Sequence, residues 1–106
     1  MARACFTLHV KPDKLDEYRR VHEEVWPEML DALRKHGWSN YSLFLRDDGL
    51  LIGYCDTDNF DAAVAGMQDE PVNQRWQESV KDLFVELSGD AADTSMRVLP
   101  EVFHLD

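Results

Sequence analysis

An apolar repeat at helical spacing, interrupted by one proline, constrains this chain more than any other feature of its sequence. Because its members recur every three or four residues, they lie on one face of a helix, and that face is expected to pack inward. Pro27 falls inside the repeat, where it removes a backbone donor and clashes with the preceding turn. The helix is therefore predicted to kink or restart near Pro27. The repeat consists of Leu15, Tyr18, His22, Val25, Met29 and Leu33.

Two members of this inward face, Tyr18 and His22, carry polar groups one helical turn apart. A phenol and an imidazole that point toward a core either find hydrogen-bond partners there or line a pocket. A lone histidine on an apolar face is more often structural than catalytic. With the neighbouring tyrosine and the nearby kink, a functional role for His22 and a structural role in the core carry about equal weight. With an ordinary pKa of about 6.5, a histidine can give or take a proton near neutral pH.

The other patterns predict alternating strands and helices in one domain that spans residues 1–106. Strands are predicted at residues 3–10, 38–46, 50–56 and 96–105, with a hairpin turn at residues 47–49. Helices are predicted at residues 12–36, ending at Gly37, at residues 58–67 with Asp58 as N-cap, and at residues 71–87. Residues 88–95 are polar and turn-prone. The order βαββαβ with right-handed crossovers predicts an α+β, ferredoxin-like fold, in which helices cover one face of a four-stranded antiparallel sheet.

The second face of this sheet needs a cover of its own. The third strand is apolar on both faces, whereas the helices can cover only one. A second copy of the same sheet is the simplest partner, so a homodimer is expected. Pro100, inside the last predicted strand, suggests an edge or a bulge there.

Composition excludes several classes of function. The formal net charge of −10 disfavours nucleic acid and anionic membranes as partners, and it mildly favours a neutral ligand. The chain has no apolar run of about 20 residues and no long apolar region near its start, so we expect neither a membrane span nor a signal peptide. Cys5 and Cys55 form no disulfide or metal pattern and are expected to be free thiols in a reducing cytoplasm. No phosphate loop, dinucleotide fingerprint or nucleophile motif is present.

A second group of candidate residues lies in the last predicted helix. Arg75, Trp76 and Gln77 place a cation, a flat ring and an amide side by side, a mixture useful around a neutral polyhydroxylated ligand. Tyr41 can add a phenol from the second strand. The alternative for Trp76 is a core residue, and the alternative for Tyr41 is a half-buried strand residue.

Taken together, these residues resemble a known family, the L-rhamnose mutarotases, over essentially the whole chain. The resemblance rests on the order and spacing of several short motifs. They are Tyr18 with His22, the block Val25-Trp26-Pro27-Glu28, His36-Gly37 followed by Asn40-Tyr41, the pair Arg75-Trp76, and the terminal Glu101-Val102-Phe103-His104-Leu105.

The resemblance implies a small dimeric protein of the dimeric α/β-barrel type that interconverts the α and β anomers of a 6-deoxyhexose without a cofactor. It implies that His22 is the proton donor and that the sugar contacts Tyr18, Tyr41, Trp76 and Gln77. The chain departs from the family pattern at Gln77, where the pattern has a second tryptophan, and at His104, where it has tyrosine. An amide in place of a stacking ring makes a related sugar such as L-fucose an alternative substrate.

Two further interpretations use the same fold. Cofactor-independent monooxygenases of the dimeric-barrel type also place histidine and tryptophan in a cavity between helices and sheet, but they act on flat aromatic substrates. In a non-catalytic ligand-binding or regulatory module, Tyr18 and His22 would be structural. The complementary base stays open among water, Tyr18 and a carboxylate.

Overall fold

The computed structural model describes residues 2–85, 87 and 91–106. Its antiparallel sheet has the strand order β2-β3-β1-β4, which confirms the predicted ferredoxin-like α+β fold. The regular elements are β1 (Ala2–His9), α1 (Leu15–Val21), α2 (Pro27–Lys35), β2 (Ser39–Leu45), β3 (Leu50–Thr57), α3 (Phe60–Gln68), α4 (Pro71–Val80) and β4 (Arg97–Leu99), with 3-10 turns at Pro12–Lys14, Lys81–Leu83 and Ala92–Thr94.

The core lies between the helices and one face of the sheet. Along β3, every second residue is buried, and these positions pair with the inward residues of β1, as Gly53 pairs with Phe6. The ring of Phe6 occupies the space where a side chain at position 53 would stand, so glycine is required there. No helix in the described residues is long and apolar enough to cross a bilayer.

The opposite side of the sheet, here called the free sheet face, carries apolar side chains in neighbouring strands. Phe44 pairs with Ile52, and Cys5 pairs with both Tyr54 and Leu99, so these five side chains share that face. Phe44 is 60% exposed and Leu99 is 45% exposed. The expectation that one chain leaves this face uncovered is met.

The first predicted helix is broken where the proline was expected to break it. Helix α1 ends at Val21, and α2 restarts with Pro27 at its first position. Trp26 has an extended backbone, with ψ of 133°, as the residue before a proline prefers. Helix α2 is followed by Gly37 at a φ of +88°, a left-handed conformation that favours glycine.

Three boundaries differ from the predictions. The N-cap of α3 is Asn59 and not Asp58, because the Asn59 side chain accepts the backbone N–H of Ala62. Helix α4 ends at Val80 rather than near residue 87, because Phe84 is extended and forms a bridge with Val10. The predicted turn at residues 88–95 contains the 3-10 turn Ala92–Thr94, while residues 88–90 lie outside the described part of the chain.

The last strand is also much shorter than predicted. Strand β4 covers only Arg97–Leu99, and residues 100–106 have no regular structure and are exposed. Pro100 supplies no N–H for a ladder, which accounts for the end of the strand at that point. The prediction that this strand lies at an edge is correct, since β4 pairs only with β1.

Candidate functional site

A cavity of about 370 Å³ lies between the sheet and the helices. This volume is in the range of small-ligand sites. Its walls are mainly aliphatic and aromatic, with a few polar side chains. All five site residues predicted from the sequence line it: Tyr18, His22, Tyr41, Trp76 and Gln77.

His22 lies just past the end of α1, where the helix has stopped but the proline restart has not begun. Its Nδ1 is 2.8 Å from the backbone oxygen of Tyr18, one turn earlier. Because a carbonyl oxygen can only accept, Nδ1 must carry the proton and donate it. In the neutral imidazole the lone pair is therefore on Nε2.

The surroundings of His22 favour this neutral form. Burial lowers the pKa of the imidazole below its ordinary value, and the hydrogen bond to the Tyr18 carbonyl opposes that shift only in part. The ring lies 4.3 Å from the Tyr18 ring and is edge-on to Trp76 at 5.5 Å, measured between centroids. At neutral pH the resting His22 is consequently a base.

The two tyrosines stay protonated for the same physical reason. Burial raises the pKa of Tyr18. It also raises the pKa of Tyr41. No hydrogen bond of either phenolic hydroxyl is formed with the described residues, so both hydroxyls can bond to a ligand.

A bulge in β2 accompanies the position of Tyr41. The register between β2 and β3 shifts between Ser39 and Ser42. Asn40 adopts a φ of +48° there, and its side-chain amide donates to Asp56. Bulges of this kind redirect the next side chain. The hydrogen bond to Asp56 therefore helps to hold the strand in the form that carries Tyr41 into the cavity wall.

Trp76 forms part of the wall opposite the sheet and is almost fully buried. Its ring is perpendicular to that of Trp26 at 5.0 Å. Arg75, which the sequence grouped with Trp76, is exposed and does not line the cavity. Consecutive residues on a helix point in different directions, so Arg75 does not follow Trp76 into the cavity. Its guanidinium instead lies 3.4 Å from the Glu28 carboxylate.

Gln77 belongs to a hydrogen-bonded chain that the sequence did not reveal. Its Nε2 donates to Oδ1 of Asn73 (3.1 Å), and Asn73 donates through Nδ2 to the carbonyl of Met67 (3.0 Å) and to Oδ2 of Asp93 (2.8 Å). Asn73 and Asp93 both line the cavity. The spacing of four between Asn73 and Gln77 was a usable signal, whereas no local pattern links them to Asp93.

The other histidines and the cysteines lie away from the cavity. His36 donates from Nε2 to Glu70 (2.7 Å) and packs against α3, while His9 and His104 are exposed. Cys5 and Cys55 are free thiols. Within the described ranges, no group of three or more histidine, cysteine or acidic side chains is arranged to hold a metal ion.

Comparisons with known proteins point to one family over nearly the full length of the chain. A family model described as L-rhamnose mutarotase matches residues 3–105. An L-rhamnose mutarotase from Oceanobacillus iheyensis is 38% identical over 107 residues, and one from Bacillus subtilis is 36% identical, each match covering 100% of both chains. The crystal structure of an L-rhamnose mutarotase from Formosa agariphila superposes with a TM-score of 0.81 at 20% identity, again over 100% of both chains, which shows the shared fold.

Proposed function

This chain belongs to the L-rhamnose mutarotase family, a family of isomerases, and we propose that it interconverts the α and β anomers of L-rhamnose with His22 as the group that moves the proton. One observation carries the assignment of His22. Its Nδ1 is committed to the Tyr18 carbonyl, so Nε2 is the ring nitrogen left for chemistry in a cavity of sugar size. The substrate class is a neutral monosaccharide, consistent with a net charge of −10.

Mutarotation needs two proton movements and no cofactor. The anomeric hydroxyl loses its proton as the bond between C1 and the ring oxygen breaks, and the ring oxygen gains a proton. Both oxygens are attached to C1, so one nitrogen can serve both in turn. Neutral His22 accepts the hydroxyl proton at Nε2 and, as the imidazolium, donates it to the ring oxygen. The free aldehyde end then rotates, and the reverse steps close the ring on the other face.

This scheme makes His22 the proton donor that the family resemblance implied, but only after it has acted as a base. It does not require a separate carboxylate for the reacting atoms. Tyr18 and Tyr41 bind sugar hydroxyls through their free phenols, and Trp76 provides a flat apolar surface for the sugar ring. A positioned acid–base group typically contributes ~10²–10⁴-fold, enough for a reaction that is already measurable in water.

The test is anomer exchange of L-rhamnose, read from NMR exchange between the two anomeric proton signals. His22→Ala should lose most of the exchange above the spontaneous rate, by about 10²–10⁴-fold, and still fold. Arg20→Ala is the control, because Arg20 is exposed on α1 and does not line the cavity. Wild-type exchange in a folded His22→Ala protein would reject the role of His22. No exchange by the wild type would favour the monooxygenase or ligand-binding interpretation.

Gln77 supports a second candidate substrate. An amide, and not a second flat ring, stands beside Trp76, so hydrogen bonding replaces part of the stacking surface at this wall. L-fucose is the corresponding candidate. Faster exchange of L-fucose than of L-rhamnose under the same conditions would select it.

We also propose that the protein acts as a homodimer joined through the free sheet face. The support is the row of apolar side chains on that face, which the helices of the same chain cannot reach.

A further inference from the structure

The wall formed by Asp93, Asn73 and Gln77 has a fixed direction of hydrogen bonding. Asn73 is buried, and its amide nitrogen faces two groups that can only accept, the Met67 carbonyl and Asp93. This fixes the orientation of the Asn73 amide and makes its oxygen the acceptor for Gln77. Every donor of Asn73 is used inside the chain of bonds.

Two hydrogen-bond acceptors in this wall have no partner among the described residues. Asp93 uses Oδ2 toward Asn73, and its Oδ1 has no hydrogen-bond partner among the described residues. Oε1 of Gln77 is buried and likewise has no hydrogen-bond partner among the described residues. An unpaired buried acceptor destabilises the protein, and a ligand that donates to it relieves that cost. His22, whose neutral imidazole has its lone pair on Nε2, lines the same cavity as Asp93 and Gln77.

A polyhydroxylated ligand is complementary to such a cavity, because each hydroxyl brings a donor. Asp93 is also the single carboxylate that lines the cavity within the described residues. A second depression of about 390 Å³ borders the same three side chains. An ionised acceptor forms stronger hydrogen bonds than a neutral one.

We propose that Asp93 is a further sugar-binding residue, which accepts a hydroxyl of the substrate through Oδ1 while Asn73 holds its other oxygen. This inference deepens the proposed function and rests on it for the identity of the sugar. Asn73 is then a positioning residue, and Gln77 extends the same acceptor wall toward Trp76. The site as a whole selects ligands that present a hydroxyl donor at this wall.

Asp93→Asn separates binding from a merely structural role. The asparagine oxygen still accepts from Asn73, so the internal chain of bonds and the melting temperature should stay as in the wild type. The free Oδ1, however, is replaced by the amide nitrogen, which donates hydrogen bonds and cannot accept one from the sugar. We expect the dissociation constant for L-rhamnose, measured by calorimetry, to rise by at least tenfold. Asp82→Asn, at an exposed site outside the cavity, controls for the loss of one charge.

Asp93→Ala provides the second arm, since it removes both the anchor and the free acceptor. It should weaken sugar binding at least as much as Asp93→Asn and should also lower the melting temperature. If Asp93→Asn binds L-rhamnose as the wild type does, Asp93 is a structural anchor only and the inference is wrong. Because this readout is binding, whereas the proposed function is read from anomer exchange, the two can fail independently.

Discussion

At the scale of single residues, the site depends on one apolar cavity that sets several protonation states together. Burial keeps His22 neutral and keeps Tyr18 and Tyr41 protonated. The backbone of Tyr18 decides which nitrogen of His22 carries the proton. The phenols therefore stay neutral hydrogen-bonding groups, and the imidazole is the neutral base among them. A neutral sugar suits this environment, because no charge must be desolvated when it enters.

This assignment predicts the pH profile. If the neutral imidazole is the active resting form, enzyme-catalysed exchange should be constant around neutral pH. It should then fall as the pH drops through the pKa of His22, which lies below its ordinary value of about 6.5. NMR exchange of L-rhamnose between pH 5 and 8, with the rate of His22→Ala subtracted, measures it. A rate that instead declines above pH 6.5 would show that the resting imidazolium is the required form.

The same residue links pH to stability with a definite sign. The pKa of His22 is lower in the folded state than in the unfolded chain, so the unfolded chain binds the proton more readily. Its contribution to stability is therefore fully present above the unfolded pKa, and it is lost as the pH falls toward the folded pKa.

At the scale of secondary structure, the proline break leaves His22 between two helices. A continuous helix across residues 22–26 would keep His22 within a regular backbone, whereas here α1 ends one residue before it and α2 starts again at Pro27. This break was predictable, because a proline inside a helical repeat acts locally. The inward repeat was predictable for the same reason, since spacing alone assigns its members to one face.

What the sequence did not predict depends on contacts between distant residues. Leu83 continues the apolar spacing of α4, yet the chain leaves the helix there. The reason is pairing with the end of β1 and the segment after it: the Leu83 carbonyl accepts from the Lys11 N–H, and the Val85 N–H donates to the His9 carbonyl. The link from Asp93 to Asn73 joins residues 20 positions apart. Asp58 and Asn59 are both good N-cap residues. Because β3 extends to Thr57, helix α3 begins later than predicted, and Asn59 takes the N-cap position.

The contact between α3 and the end of α2 gives a prediction at this scale. A Cβ at Gly66 would overlap with Nδ1 of His36, whose ring is held by its hydrogen bond to Glu70. Gly66→Ala should therefore lower the free energy of unfolding by about 1–2 kcal/mol, although alanine favours a helix by about 1 kcal/mol. Urea denaturation measures it.

The background of His36→Ala provides the control for this prediction. With the imidazole removed, Gly66→Ala should raise the free energy of unfolding by up to about 1 kcal/mol, since only the helix propensity remains. The exposed neighbour Ala65 serves as a reference, because Ala65→Gly changes propensity without touching His36. The same loss from Gly66→Ala in both backgrounds would show that the imidazole contact is not the cause.

At the scale of the whole molecule, one chain leaves two apolar surfaces open. The free sheet face exposes Phe44 and Leu99, and the segment after β4 exposes Val102, Phe103 and Leu105, with Phe103 at 78%. Residues 100–106 hold no regular structure, and the pair between Arg3 and Glu101 ties the start of this segment to β1, beside the edge strand β4. A partner that covers the free sheet face at this edge can also bury these side chains.

We therefore expect the 12.3 kDa chain to sediment at about twice its mass at micromolar concentration. Phe44→Asp should convert it to a monomer, because a twofold interface contains each substituted position twice and would bury two unpaired carboxylates. Ala65→Asp, on the exposed side of α3, adds the same charge away from the free sheet face and should leave the dimer intact. A wild-type monomer at these concentrations would contradict the proposal. A dimer that survives Phe44→Asp would place the interface elsewhere.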